Sequence, residues 1–284
     1  MSVRVAARLL ERLPLPARRA VLHRFGRYAP WEAGFDFTPP ALRGGESPGP
    51  PDFVGIGTQK AGTTWWYSLI ASHPGVSVRT DIHKERHFLS RFGSAAFSDA
   101  DIDAYHGWFP RRPGEIAGEW TPDYLSWPWV APLLFKAAPK ARLLVILRDP
   151  VDRFRSGLNH QLANGARLTG ETVADAVNRG FYGRHLDWWG MHFDLERTLV
   201  LQYELCARDP KGQLARTYRF LGLDDTYRPA DITEHRSKTS ATTSMDPEVG
   251  RRLADIYAQD VAALSERLPD LDVGLWTNFT AERR

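Results

Sequence analysis

The segment Phe53-Val54-Gly55-Ile56-Gly57-Thr58-Gln59-Lys60-Ala61-Gly62-Thr63-Thr64-Trp65 restricts this chain more than any other, because an apolar run leads into a glycine-bounded loop and then a helical pattern. Gly57 and Gly62 have the separation of the two glycines in the nucleotide-binding G-x-x-x-x-G-K-[ST] loop, where backbone N–H groups and a helix N-terminus converge on an anion. The lysine, however, is displaced. Lys60 lies inside the loop, and the position after Gly62, where an ATPase keeps its γ-phosphate lysine, is Thr63. The loop is therefore expected to hold a 5′-phosphate bearing a different terminal group, with Lys60, Ala61, Gly62, Thr63 and Thr64 as its donors.

A second segment narrows the choice of nucleotide. Arg142-Leu143-Leu144-Val145-Ile146-Leu147 is a continuous apolar run of the buried parallel-strand type, ending in Arg148-Asp149-Pro150. A Mg-dependent NTPase would end such a strand with a metal-binding aspartate. Arg148 offers instead a planar, permanently charged donor suited to phosphate. Pro150 suits a helix start, and Arg153, Ser156 and His160 follow at helical spacing. A second phosphate site is the expectation.

With these motifs, the chain resembles the PAPS-dependent sulfotransferases, in particular soluble bacterial-type relatives of the carbohydrate and heparan-sulfate enzymes. The resemblance rests on Gln59-Lys60-Ala61-Gly62-Thr63-Thr64-Trp65, on Lys84-Glu85-Arg86-His87-Phe88, and on Arg148-Asp149-Pro150 with Arg153 and Ser156. Gly180-Phe181-Tyr182 with Leu186 and Trp189, and Phe220-Leu221-Gly222-Leu223, also fit. It implies an α/β fold, P-loop-like and three-layered, with a central parallel sheet flanked by helices. It also implies 3′-phosphoadenosine 5′-phosphosulfate (PAPS) as donor, in-line transfer of its sulfuryl group to a hydroxyl or amine of a carbohydrate or small molecule, and no metal.

Residue roles come with the resemblance. Lys60 and the surrounding N–H and hydroxyl groups would stabilise charge on the leaving phosphate, in the manner of an oxyanion hole. Glu85 aligns with the base of the carbohydrate-type members, and His87 is the competing base or a support for Glu85. Arg148 and Ser156 would take the 3′-phosphate; the plain alternative for Arg148 is an ion pair with Asp149 or Asp152, while Arg153 and Arg155 read as scaffold or surface. Trp65 matches an adenine-stacking tryptophan, although with Trp66 and Tyr67 on the same helix a core role is equally open. Arg236 and Lys238, within His235-Arg236-Ser237-Lys238-Thr239-Ser240, have the composition of a lid over the donor or of a solvated loop.

One departure bears on the acceptor. In Gly118-Glu119-Trp120-Thr121-Pro122-Asp123-Tyr124 the heparan-sulfate type enzymes carry a lysine where this chain has Trp120. Either another residue, such as Lys84 or Lys238, supplies that charge, or the acceptor is less anionic than a glycosaminoglycan. Trp120, Tyr124, Trp127 and Trp129 suggest an aromatic acceptor cleft, with core packing as the alternative.

Composition sets the remaining bounds. The 284 residues are 43% apolar, with a net charge of +3 and a mean hydropathy of −0.39. Acids and bases nearly balance, which argues against a nucleic-acid partner. No apolar run approaches 18 residues, so a soluble protein is expected. Cys206 is the single cysteine, so no intrachain disulfide exists; secreted-pathway members are membrane-anchored and some carry a disulfide, and a cytoplasmic enzyme fits better. Residues 1–50 read as a basic extension and Pro/Gly-rich linker, and 51–284 as the sulfotransferase domain. Within residues 1–28, arginines alternate with apolar residues, which suits either contact with an anionic membrane or simple packing on the domain.

Helices are expected at Thr63–Ser72, Ser98–Phe109, Trp127–Ala138, 150–163, 172–192 and 210–221. Strands are expected at Val76–Val78 and Thr198–Leu201. A C-terminal helix follows caps at Ser244 and Asp246, with Val249, Leu253, Ile256, Val261, Leu264 and Leu268 as its core stripe. Two rival functions stay in view, a P-loop small-molecule kinase and a non-catalytic nucleotide-binding module. The first needs a lysine after Gly62 and an aspartate at the strand tip, and the sequence has neither.

Overall fold

Phe53–Gly57 is β-branched, aromatic or glycine throughout and buried at every position, so it forms a central strand, β1. A computed structural model describes residues 39–79, 82–93, 96–163, 168–232 and 245–280. The expected N-terminal amphipathic segment and the stretch containing Arg236, Lys238 and Ser244 lie outside the described residues.

Three further strands, β2 (Gly118–Trp120), β3 (Arg142–Leu147) and β4 (Thr198–Gln202), join β1 in a wholly parallel sheet of order β2-β1-β3-β4. Side chains alternate between its faces. Val54, Ile56, Leu143 and Val145 enter one apolar cluster, and Phe53, Leu144, Ile146 and Leu199 enter the other. The second face is covered by α1 (Thr63–Ala71) and, later in the chain, α8 (Pro210–Leu221). The first is covered by α2 (Asp99–His106), α3 (Val130–Ala137), α4 (Pro150–Ala163), α5 (Gly170–Asn178), α6 (Tyr182–Gly190) and α9 (Pro247–Arg267). The short α7 (Tyr203–Arg208) follows β4 directly and was not anticipated. These are the three layers expected.

Strand order reverses beside β1: the chain steps outward to β2 and then back across to β3. Ligands of such sheets gather outside the carboxyl ends at that point. The loop after β1 and Arg148 after β3 both emerge there.

Several expectations need correction. Val76–Val78 is not a sheet strand; Val76 makes only an isolated bridge to Ile116, and Gly118–Trp120 takes the sheet position. The helix expected over 172–192 is two helices. The break falls at Gly180, where the Tyr257 hydroxyl donates to the Val177 carbonyl at 2.8 Å and the ring packs so close that a Cβ on residue 180 would lie 2.5 Å from it. On α9 the buried face is Leu253, Tyr257, Val261 and Leu264, whereas Val249 and Ile256 are 42% and 50% exposed. Ile256 lies about 100° round the helix from Tyr257. Asp246 does cap α9, accepting from the Glu248 N–H.

Residues 39–52 lie against the domain. Arg79 donates to the Ala41 carbonyl and the Glu46 carboxylate, and the Asp52 carboxylate accepts from the Ala117 N–H.

Candidate functional site

The loop between β1 and α1 begins anchored, with the Thr58 N–H donating to the Ile146 carbonyl of β3 at 3.1 Å. It ends at Gly62, whose φ of 80° is left-handed backbone and whose missing Cβ leaves the Tyr203 ring in contact. No side chain caps α1, so its first N–H groups remain available to an outside acceptor. Lys60 also has a left-handed φ, 68°, a conformation uncommon for a side-chain-bearing residue and concentrated at functional sites. Its stem runs past Gly157 of α4. Burial lowers the Lys60 pKa and Arg148 lowers it further, while Glu85 opposes both.

Arg148 leaves the tip of β3 and donates from Nη1 to the Lys60 carbonyl at 3.1 Å. Its guanidinium lies 4.8 Å from the Tyr203 ring centroid. The alternative ion pair with Asp149 or Asp152 is not formed: Asp149 accepts from Val151 and Asn278, and Asp152 pairs with Arg155. Ser156 is half-buried on α4. Arg153 is fully buried and donates to the Ala176 carbonyl, the scaffold role expected of it. His160, exposed one turn beyond Ser156, has its pKa lowered by partial burial and by Lys60, with Glu85 opposing.

Across the loop stands Lys84–His87. Glu85 is held from both sides, with Oε1 3.0 Å from Lys84 Nζ and Oε2 3.2 Å from His87 Nε2. Burial pushes its pKa up, but the His87 hydrogen bond and Lys84 outweigh that and the net direction is down. For His87, burial lowers the pKa, and the bond to Glu85 with the nearby Asp123 carries it above its ordinary value. His87 shares the left-handed φ, at 51°.

The segment is fixed by the carboxyl end of β2. The Trp120 N–H donates to the Lys84 carbonyl at 3.1 Å, and Thr121 Oγ1 accepts from the N–H groups of Arg86 and His87 at 3.0 and 3.4 Å. Thr121 in turn donates to the fully buried Glu119 at 2.6 Å, which also accepts from Tyr105 at 2.7 Å. Burial raises the Glu119 pKa, with Thr121, Arg86 and Tyr105 opposing.

The loop residues Lys60 to Thr64 are thus joined to Arg148 by the Lys60 carbonyl and to Glu85 and His87 through Lys84, while Ser156 lies on α4 and makes no hydrogen bond to them. Trp65 is 5% exposed, donates to the Ile232 carbonyl and meets Trp66 edge-on, so its ring sits in the core. The aromatic acceptor cleft is corrected as well: Trp120 and Tyr124 are fully buried and Trp127 is 8% exposed. Trp120 lies flat on Gly55 and donates to the Gly57 carbonyl at 3.0 Å, while Trp127 and Trp129 stack on each other. Tyr203 is the residue that sequence reasoning missed. It touches Gly62 and Arg148 together, and the available signal was its place just after the β4 tip. A cavity of about 230 Å³ beside Thr198 and Leu268 is lined by none of these residues, so convergent chemistry rather than enclosed volume locates the site.

Comparison with known proteins agrees with this geometry. A family profile described as a sulfotransferase domain matches residues 50–246. The human heparan sulfate glucosamine 3-O-sulfotransferase 3B1 is 29% identical over 246 residues, covering 73% of this chain and 60% of that protein. The mouse heparan sulfate glucosamine 3-O-sulfotransferase 6 is 29% identical over 187 residues, covering 61% of this chain. The chain spans 52% and 60% of the lengths of these two relatives. The crystal structure of a sulfotransferase from Alicyclobacillus acidocaldarius superposes with a TM-score of 0.65 at 25% identity, over 80% of this chain and 98% of that one. With a profile match over well more than half its length and this architecture, the chain belongs to the sulfotransferase domain family.

Proposed function

We propose that this chain transfers a sulfuryl group from PAPS to a hydroxyl, or an amine, of a carbohydrate or small-molecule acceptor. What supports this reading is the contact between Arg148 and the Lys60 carbonyl, which holds the two proposed phosphate-binding groups side by side, with Glu85 near enough to act on Lys60. The donor, when bound, supplies a sulfuryl group activated by its bond to phosphate. Lys60, the N–H groups at the start of α1 and the hydroxyls of Thr63 and Thr64 suit its 5′ end, where leaving charge must be stabilised. Arg148 and Ser156 suit the 3′-phosphate.

Glu85 takes the proton of the acceptor hydroxyl. His87 and Lys84 hold it ionised, so it is ready to accept a proton at neutral pH, though as a weaker base than an unpaired carboxylate. His87 keeps the carboxylate oriented. The named activity of the 3-O-sulfotransferase relatives supports a sugar hydroxyl as acceptor. A cytoplasmic setting belongs to the same proposal and rests on the single cysteine.

Thermal unfolding tests the donor. Adenosine 3′,5′-bisphosphate should protect the protein without magnesium, by about 2.7 kcal/mol at a hundred times its Kd, and ATP should not. The reverse ranking would favour a kinase. Incubating the protein with isotopically labelled PAPS and fractionated cell extract then identifies the acceptor that gains label.

A further inference from the structure

The sequence lacks a cation at position 120, and the buried Trp120 there cannot supply one. A cation nevertheless stands beside the anion loop. Lys84 Nζ lies 3.3 Å from Thr63 Oγ1, 3.1 Å from Thr64 Oγ1 and 3.0 Å from Glu85 Oε1, and its side chain is 14% exposed. An ammonium has three protons and no acceptor, so these three oxygens occupy all of them.

The two hydroxyls are the consequence. Each has one proton and two lone pairs, and an oxygen that accepts from Lys84 must direct its own proton elsewhere. Thr63 and Thr64 open α1 immediately after Gly62, so those protons are left for an acceptor at the loop. Lys84 is itself fixed at its main chain, where its carbonyl accepts from the Trp120 N–H at 3.1 Å. Burial carries its pKa below the ordinary lysine value, with Glu85 opposing.

We propose that Lys84 is a positioning residue of the 5′-anion pocket: it turns the hydroxyl protons of Thr63 and Thr64 toward a phosphate or phosphosulfate oxyanion and ties that pocket to Glu85. The threonine contacts and the base are then set by one side chain. This rests on the phosphate-loop reading above and adds to it a residue that acts through Thr63, Thr64 and Glu85.

Two probes isolate the effect, adenosine 3′,5′-bisphosphate and adenosine 3′-monophosphate, which differ only in the 5′ anion. Calorimetric titration without magnesium compares the wild type with Lys84→Met and with Lys84→Gln, the latter covering the case in which the methionine variant does not fold. Expected is about a tenfold weakening for the bisphosphate with the monophosphate unchanged. Equal weakening of both probes, or of neither, while the wild type still prefers the bisphosphate, overturns the role of Lys84 alone. A wild type that binds neither probe overturns the donor reading, and this proposal with it.

Discussion

The Nη1 of Arg148 donates to the carbonyl oxygen of Lys60 at 3.1 Å, so the tip of β3 is joined to the loop after β1 across the reversal in strand order. That bond uses one arm of the guanidinium, and the Tyr203 ring supports the plane from one side. The remaining donors keep a fixed direction, which a flexible ammonium would not.

Replacing Arg148 should therefore weaken binding of adenosine 3′,5′-bisphosphate. Removing a charge-assisted contact costs about 1.5–3 kcal/mol, roughly tenfold to a hundredfold in Kd. Arg148→Lys is expected to recover little of this, because it cannot bond the Lys60 carbonyl and an anion in one plane. Calorimetry on both variants decides it, and full recovery with lysine would show that charge alone matters.

Glu85→Gln is expected to leave bisphosphate binding within about twofold of wild type while transfer falls by roughly a hundredfold to ten-thousandfold, the range for a lost general base. Labelled-donor turnover alongside calorimetry separates the two effects. Normal turnover by this variant would move the base to His87.

The Glu85–His87 contact also predicts a pH dependence of stability. Glu85 has a folded pKa below its ordinary 4.5, so its contribution is present above that value and is lost as pH falls through the folded pKa. His87 has a folded pKa above its ordinary 6.5, so its contribution is present below 6.5 and is lost as pH rises through the folded pKa. Both are complete between about pH 4.5 and 6.5. Urea midpoints across that range should fall on either side for the wild type, and His87→Gln should remove the alkaline decline. An unchanged alkaline limb in the variant would assign it to another group.

Gly55 tests the packing under the site. A Cβ there would sit 2.0 Å from the Trp120 ring, so Gly55→Ala should destabilise the fold by about 3 kcal/mol or more. Trp120→Leu should relieve part of that clash, and the double variant should be more stable than the sum of the single effects allows. Chemical denaturation of the four proteins measures the coupling, and simple additivity would mean that the indole does not lie on β1.

The residues whose chemistry is written locally could be read before any fold was known. Gly57 and Gly62 bound the loop, a continuous apolar run points to Arg148, and Lys84–His87 sits as a compact polar cluster, because each depends on neighbours within a few positions in sequence. The resemblance these motifs carry implied the parallel sheet, but its edge strand is Gly118–Trp120 and not the expected Val76–Val78. What a side chain does across the sheet was not legible. Trp120 was open between an acceptor cleft and core packing and is a buried plate on Gly55, since only the pairing of β2 beside β1 brings those two together. Glu119 became the clamp on the Arg86 N–H of the base segment, Tyr203 the wall between Gly62 and Arg148, and Gly180 the close approach to Tyr257. Each of these rests on partners tens of residues away, whose burial and contact distances arise only when the layers close, and no local pattern encodes them.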